Sequence, residues 1–376
     1  MKLFFKIIAG IIILGLIVLI FVFISPRKEL LQTIKDFNAL MEIKDIFIKG
    51  WEDNSPRWEV HARSAIMRKQ DQIELFDIVD GTVFDNRKKS IIYDIQAKHA
   101  DVVLGEKNIN LTDVEALINA GKYNVKQSIS FFAQRASYTE RDKTLYLYDR
   151  ISIRQNNIRV NAVYGLLDCQ KEWVKFSNGF HYQEKDVAVD GDQLWIDLNK
   201  NELSMLGNLK ITRADKFKLS CNNLRRELTD DGEIYHLEGK IVIQKADQVL
   251  KGETGRYLDA EEKLIIDDKV ELTVSENNSG VPDQKNEQEK VMKASRIAID
   301  FKNKVIEYSG PIHYTQGDTD IIATYGVQDL RNNWITLYGD VRLTQNKRHL
   351  QCDSIKLYFN TGEVEAIGKI FTKITI

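Results

Sequence analysis

At 376 residues, 43% hydrophobic and 29% charged, the chain is long enough for two or more domains and too apolar for a disordered one. Its 53 basic and 55 acidic residues give a formal net charge of −2, which leaves no basic excess for a nucleic-acid partner. The three cysteines, Cys169, Cys221 and Cys352, cannot form a complete disulfide framework, and no CxxC pair is present for zinc or redox chemistry.

The first element is the uncharged apolar run from Ile7 to Ile24. As a helix it would span about 27 Å, close to the hydrocarbon core of a bilayer. No A-x-A cleavage pattern follows it, so residues 1–25 read as an uncleaved transmembrane anchor. Lys2 and Lys6 before the run nearly balance Arg27 and Lys28 after it. The terminal amine tips the expectation to a cytoplasmic N-terminus with the remainder outside. Residues 26–50 read as a connector. Leu30, Leu31, Ile34, Phe37 and Leu40 suit a short amphipathic helix, whereas Ile43 to Ile48 suits a first strand.

From about residue 58 the chain repeats "apolar-x-apolar-x-small". The small anchors are Ala62, Ala97, Ala133, Ala162, Gly191, Cys221, Gly252, Ala294, Ala323 and Cys352, spaced mostly 29 to 36 residues apart. Such a period signals a repeat architecture. The one step of 42 holds the polar insertion from Ser275 to Lys290, read as a surface loop. Gly207, Gly310, Gly339 and Gly368 each fall 16 residues after an anchor, and turn-forming Asn, Asp and Gly residues recur between. Each copy therefore supplies two half-buried strands, about twenty in all, and no helical period follows residue 50. A sheet with one dry face must cover it with another sheet or with itself. A small residue at a fixed phase either lets the sheet bend or leaves room inside it. Pro311, alone among the four prolines, lies inside a strand pattern and reads as an edge or strand-start residue.

No catalytic constellation emerges. The six histidines (His61, His99, His181, His236, His313, His349) lack HxxxH or HExxH spacing and read as surface residues. There is no GxSxG and no P-loop, and Gly252-Glu253-Thr254-Gly255 is a repeat anchor rather than a phosphate cradle. No metal, cofactor or enzymatic activity is expected. Arg87-Lys88-Lys89 reads as a solvated hairpin tip.

The block Trp58-Glu59-Val60-His61-Ala62 followed by Ile73-Glu74-Leu75, behind an N-terminal anchor, resembles LptC-type lipopolysaccharide-export proteins. The repeated units, clearest at Ala294–Tyr314 and Ala323–Leu343, resemble the OstA/LptA-like domains of the same pathway. The resemblance implies an all-β, elongated, bent β-jellyroll (β-taco) of antiparallel strands after one transmembrane helix. Residues 51–185 would be LptC-like and 186–376 LptA/OstA-like, the two running on into each other. It further implies an inner-membrane, single-pass protein whose β body stands in the periplasm and shelters lipopolysaccharide acyl chains in an apolar trough. The implied partners are lipopolysaccharide, the inner-membrane ABC transporter and a bridge β-jellyroll joined by edge-strand pairing. The inward positions expected to line the trough are Phe131, Val160, Val189, Ile196, Leu209, Ile211, Leu219, Ile241, Ile243, Ile299, Leu337, Val341 and Leu343. The alternative is a structural β-solenoid spacer with a closed, dry core. A polysaccharide-processing β-helix enzyme ranks last, because acidic residues are dispersed over the outward phases.

Overall fold

The computed structural model describes residues 39–52, 55–68, 72–84, 90–103, 108–119, 128–198, 200, 202–213, 217–275, 289–346, 348–359, 361 and 363–374. The predicted membrane span, the helical option for the connector, most of the polar insertion and the basic tip at Arg87-Lys88-Lys89 lie outside the described residues. The strand option for Ile43 to Ile48 is realised.

The described residues form one sheet of 23 antiparallel segments. In chain order they begin with β1 (Ala39–Glu52), β2 (Ser55–Arg68), β3 (Gln72–Phe84), β4 (Ser90–Val103), β5 (Asn108–Asn119), β6 (Ser128–Thr139), β7 (Thr144–Gln155) and β8 (Ile158–Asp168). The middle holds β9 (Trp173–Glu184), β10 (Val187–Gly191), β11 (Gln193–Asp197), β12 (Glu202–Arg213), β13 (Phe217–Thr229), β14 (Gly232–Lys245), β15 (Gln248–Leu258) and β16 (Lys263–Val274). The end comprises β17 (Lys290–Asp300), β18 (Val305–Gln316), β19 (Thr319–Asp329), β20 (Trp334–Gln345), β21 (Arg348–Tyr358), β22 (Val364–Ile367) and β23 (Phe371–Ile374).

Each strand pairs with its neighbour in sequence, so the topology is a meander. Segments β10 and β11 share one position between β9 and β12, and β22 and β23 share the edge beside β21. The expectation of about twenty antiparallel strands is met. Pairing runs without a break from β9 through β10 to β12, across residues 185 and 186.

A single layer cannot bury one face unless it folds upon itself. The fold line is written into the backbone. Gly207, Gly239, Gly310, Gly339 and Gly368 have positive φ, and so do Asp113, Asp149, Asn178 and Asp268 at the same phase of their strands. Glycine, and to a lesser degree Asp and Asn, tolerate this region. At each site the ladder slips by a bulge, as between Tyr338 and Val341, and the strand turns inward. Pro311 follows Gly310 at such a slip, between Ser309 and Ile312. It therefore sits in the middle of an internal strand, where a bulge spares the ladder its missing N–H, and not at an edge. The result is two walls joined along a crease, with alternate side chains of both walls inside.

The small anchors occupy that crease. Nine of them stand opposite at least one bulky aliphatic: Ile46–Ala62, Ile78–Ala97, Val114–Ala133, Ile151–Ala162, Leu209–Cys221, Ile241–Gly252, Val270–Ala294, Ile312–Ala323 and Val341–Cys352. Gly191 stands opposite Phe180. A Cβ added at Gly191 would lie 2.5 Å from Leu209 Cδ2, and one at Gly252 would overlap Ile266 Cγ2. At these two anchors the space is already filled by a neighbouring side chain, which suits the bending reason.

Candidate functional site

All thirteen predicted trough residues belong to the interior. Phe131, Val160, Val189, Leu209, Ile211, Leu219, Ile241, Ile243, Leu337 and Val341 are buried in the core cluster, and Ile196, Ile299 and Leu343 pack against it. They are not equivalent. Leu209, Ile241 and Val341 fill the crease, whereas the room lies further out, between the walls.

That room is uneven along the sheet. Between β2 and β7 the interior is packed with large side chains, including Trp58, Phe131 and Tyr138, and the void they line holds only about 20 Å³. Between β9 and β16 the walls enclose a cavity of about 460 Å³. This falls within the range of about 300–1,000 Å³ found for small-molecule sites. One wall contributes Val187, Val189, Ile211, Phe217 and Leu219; the facing wall contributes Leu203, Met205, Leu224, Leu237 and Leu264. Of the predicted set, only Val189, Ile211 and Leu219 line it.

The mouth of this cavity is polar, and its origin lies in one row of the sheet. Five residues beyond each anchor the chain places an inward side chain near the opening. Followed across the ladder, the row reads Leu167, Val174, Ile196, Leu203, then Arg226, Tyr235, Tyr257, then Leu264, Ile299, Ile306. Three consecutive rungs thus replace aliphatics with Arg, Tyr and Tyr over the cavity. Arg226 is the charged residue among them, and its side chain is 9% exposed.

Arg226 bridges the walls. Its guanidinium lies 4.0 Å from Glu184 on the facing wall and 3.9 Å from Glu233 on its own. Tyr182 donates to Glu184 at 2.6 Å, and Tyr235 donates to Glu233. Burial pushes both phenols well above their ordinary range, reinforced by those carboxylates and partly offset by Arg226. Arg213 makes a second charged pair at the opening, donating to Asp186 at 3.1 Å, while burial raises the Tyr257 phenol on the facing wall and the nearby Arg213 charge opposes that rise. The arrangement is an apolar chamber under a hydrogen-bonding rim. It can hold a chain that leaves water and can meet a polar group at the chain's head.

The histidines take outer-face positions. His61 meets Asp45 at 2.7 Å, His181 meets Asp190 at 2.8 Å, His236 meets Glu227 at 2.8 Å and His313 meets Asp320, each on a neighbouring strand. None lines the cavity.

No family model matches the chain, and no curated protein matches it. Among solved structures, it is similar to the crystal structure of LptH, the LptA-homologous periplasmic component of the lipopolysaccharide transport device from Pseudomonas aeruginosa. The identity is 12% and the TM-score 0.28, over 34% of this chain and 95% of that one.

Proposed function

We propose that this chain is a non-enzymatic carrier of lipid acyl chains in lipopolysaccharide export, holding them between the walls of its folded sheet. The observation that carries the reading is the apolar chamber of about 460 Å³ between β9 and β16, lined from both walls and opening at a polar rim. Each methylene that enters gains about 0.8 kcal/mol by leaving water, and contacts of that kind are non-directional enough to allow sliding. The sequence resemblance supplies the pathway. It supports an inner-membrane anchor at residues 7–24, a periplasmic β body, and handover from the ABC transporter to a bridge protein. Edge pairing is supported by the two ends of the sheet, which have no further strand beside them among the described residues. Met41, Phe47 and Trp51 on β1 and Val364, Ile367 and Phe371 on the last segments are exposed there.

A second reading has its own support. The packed interior between β2 and β7 is what a dry structural spacer would have. Photo-crosslinking in cells separates the two. A crosslinking residue at Leu203 or Leu237 should capture lipopolysaccharide, and one at the exposed Lys210 or Lys240 should not. Equal capture by both sets, or none at the cavity, would leave the spacer.

A further inference from the structure

Arg226 is an anomaly in its own row, and the anomaly carries chemical information. A guanidinium is permanently charged and carries five N–H donors. Its side chain is nine-tenths buried and lines the cavity, and its Nε–H, itself shut away from the cavity, has no acceptor among the described residues, so the outer N–H groups are what it presents to the chamber. The two flanking carboxylates lie at 3.9 and 4.0 Å, beyond hydrogen-bond reach. A buried guanidinium so loosely paired is costly, and an oxygen brought by a ligand to its outer N–H groups would relieve it.

The charges around it restrict what that oxygen can belong to. Glu184 and Glu233 place two negative charges beside one positive charge. Asp186 and Asp259 line the same rim, against Arg213 and Lys185. A further full anion, a free carboxylate or a phosphate, would enter a site already over-supplied with negative charge. A neutral carbonyl would accept from the outer N–H groups of the guanidinium without that repulsion. The apolar lining directly below takes the hydrocarbon attached to it.

We infer that the cavity is a holding site for one acyl chain linked to its carrier through an ester or amide carbonyl, with Arg226 as the donor to that carbonyl. The inference rests on the lipid-carrier reading above and adds a place and a head-group chemistry to it. In these terms the interior is not a uniform slide: the chain pauses between β9 and β16, where its linkage oxygen finds a partner.

The test uses the full-length chain in phosphatidylcholine vesicles and two photoreactive probes. Both carry the same twelve-carbon chain with a tail diazirine, one as the monoacylglycerol and one as the free acid. Labelled residues are mapped by mass spectrometry and normalised to labelling of the vesicle lipid. The monoacylglycerol should mark Leu203, Met205, Leu224 and Leu237 about tenfold more than the acid does, the difference one buried hydrogen bond makes. Arg226→Met should lower the ester signal to that of the acid. The pair Glu184→Gln and Glu233→Gln, which keeps acceptors for Tyr182 and Tyr235, should raise the acid to the ester level. Equal marking of the cavity by both probes in the unaltered chain overturns the inference, as does a preference that survives Arg226→Met. Labelling of the interior elsewhere but not of the cavity also overturns it, and leaves the carrier reading standing. No interior labelling by either probe overturns both.

Discussion

Thr324 packs directly on Gly339: a methyl group placed on the glycine would overlap the threonine Oγ1, which donates to the carbonyl of Tyr338 at 3.2 Å. The same relation recurs along the crease. Asp192 covers Gly207, Asn222 covers Gly239, Ser295 covers Gly310 and Asp353 covers Gly368. In every case the covering residue immediately follows a small anchor. Each of these five bends is therefore built from two strands at once, a left-handed glycine on one and a short polar side chain capping it from the next.

Gly339→Ala should therefore lose more than the cost of a left-handed Ala, which is about 1–2 kcal/mol. Gly179 gives the comparison, since it too has positive φ but nothing within 4 Å of an added Cβ. Gly179→Ala should show the backbone cost alone. Urea unfolding of both, and of Gly339→Ala combined with Thr324→Ala, measures the difference. The second substitution should recover the overlap part, a coupling of about 0.5–3 kcal/mol. Equal losses at the two glycines would mean the cap contributes nothing.

The crease admits one large side chain per pair of strands. Ala323 is 2% exposed and stands opposite the fully buried Ile312. Ala323→Leu should cost about 1–3 kcal/mol by overpacking. Adding Ile312→Ala, which moves the bulk from one strand to the other, should return part of that loss. If the double variant is the sum of its singles, the two positions do not share one space.

Much of this was legible in the sequence, and the limits have physical causes. Period-two alternation from Trp58 onward gave the strands, and the recurrence of Ala62 through Cys352 gave their number. What a small residue was for could not be read from spacing, because that depends on whether a neighbour such as Ile266 fills the place beside Gly252. Asp113, Asp149, Asn178 and Asp268 look like ordinary outward polar residues, yet they hold the same left-handed phase as the glycines of the later copies. Their constant distance of 16 residues from an anchor was the available signal. Arg226 was equally accessible, as the charged residue five positions after an anchor where other copies place Val102, Leu167 or Ile299. The separation of the walls leaves no trace in local sequence, so the cavity had to come from the structure.

The cysteines predict an alkaline limit to stability. Burial pushes the Cys169 thiol up to about 12, with the Asp168 carboxylate adding to it. Burial likewise raises Cys221 to about 12, against a weaker opposing hydrogen bond from the Asn223 backbone. In the unfolded chain both would ionise near 9.0. Above that pH the unfolded state binds fewer protons than the folded one, so stability falls as pH rises from about 9 towards 12. The phenols of Tyr182, Tyr235 and Tyr308, raised chiefly by burial, act in the same direction. Urea midpoints should be flat between pH 7 and 8.5 and drop above 9, with a shallower drop in Cys221→Ala. Alkylation of the native protein at pH 8 should be slow at both thiols, and rapid labelling of Cys221 would contradict its burial.

The uneven interior makes opposite predictions for one type of substitution at two places. Leu147 is fully buried in the packed half, opposite Gly165, where Phe176 already sits 3.0 Å from an added Cβ. Leu147→Phe should cost about 1–3 kcal/mol, because the extra ring has nowhere to go. Leu224 is also buried, but it borders the cavity of about 460 Å³. Leu224→Phe can place its ring in that space and should be neutral or stabilising. In the same packed half Phe131→Ala should cost about 3–5 kcal/mol, since it greatly enlarges a void that now holds only about 20 Å³. Thermal unfolding of the three variants compares the two interiors directly. Leu224→Phe should at the same time weaken lipid crosslinking from Leu203 and Leu237, since stability gained by filling the chamber is room lost to an acyl chain. A variant that is stabilised yet captures as much lipid would place the carried chain somewhere other than this cavity.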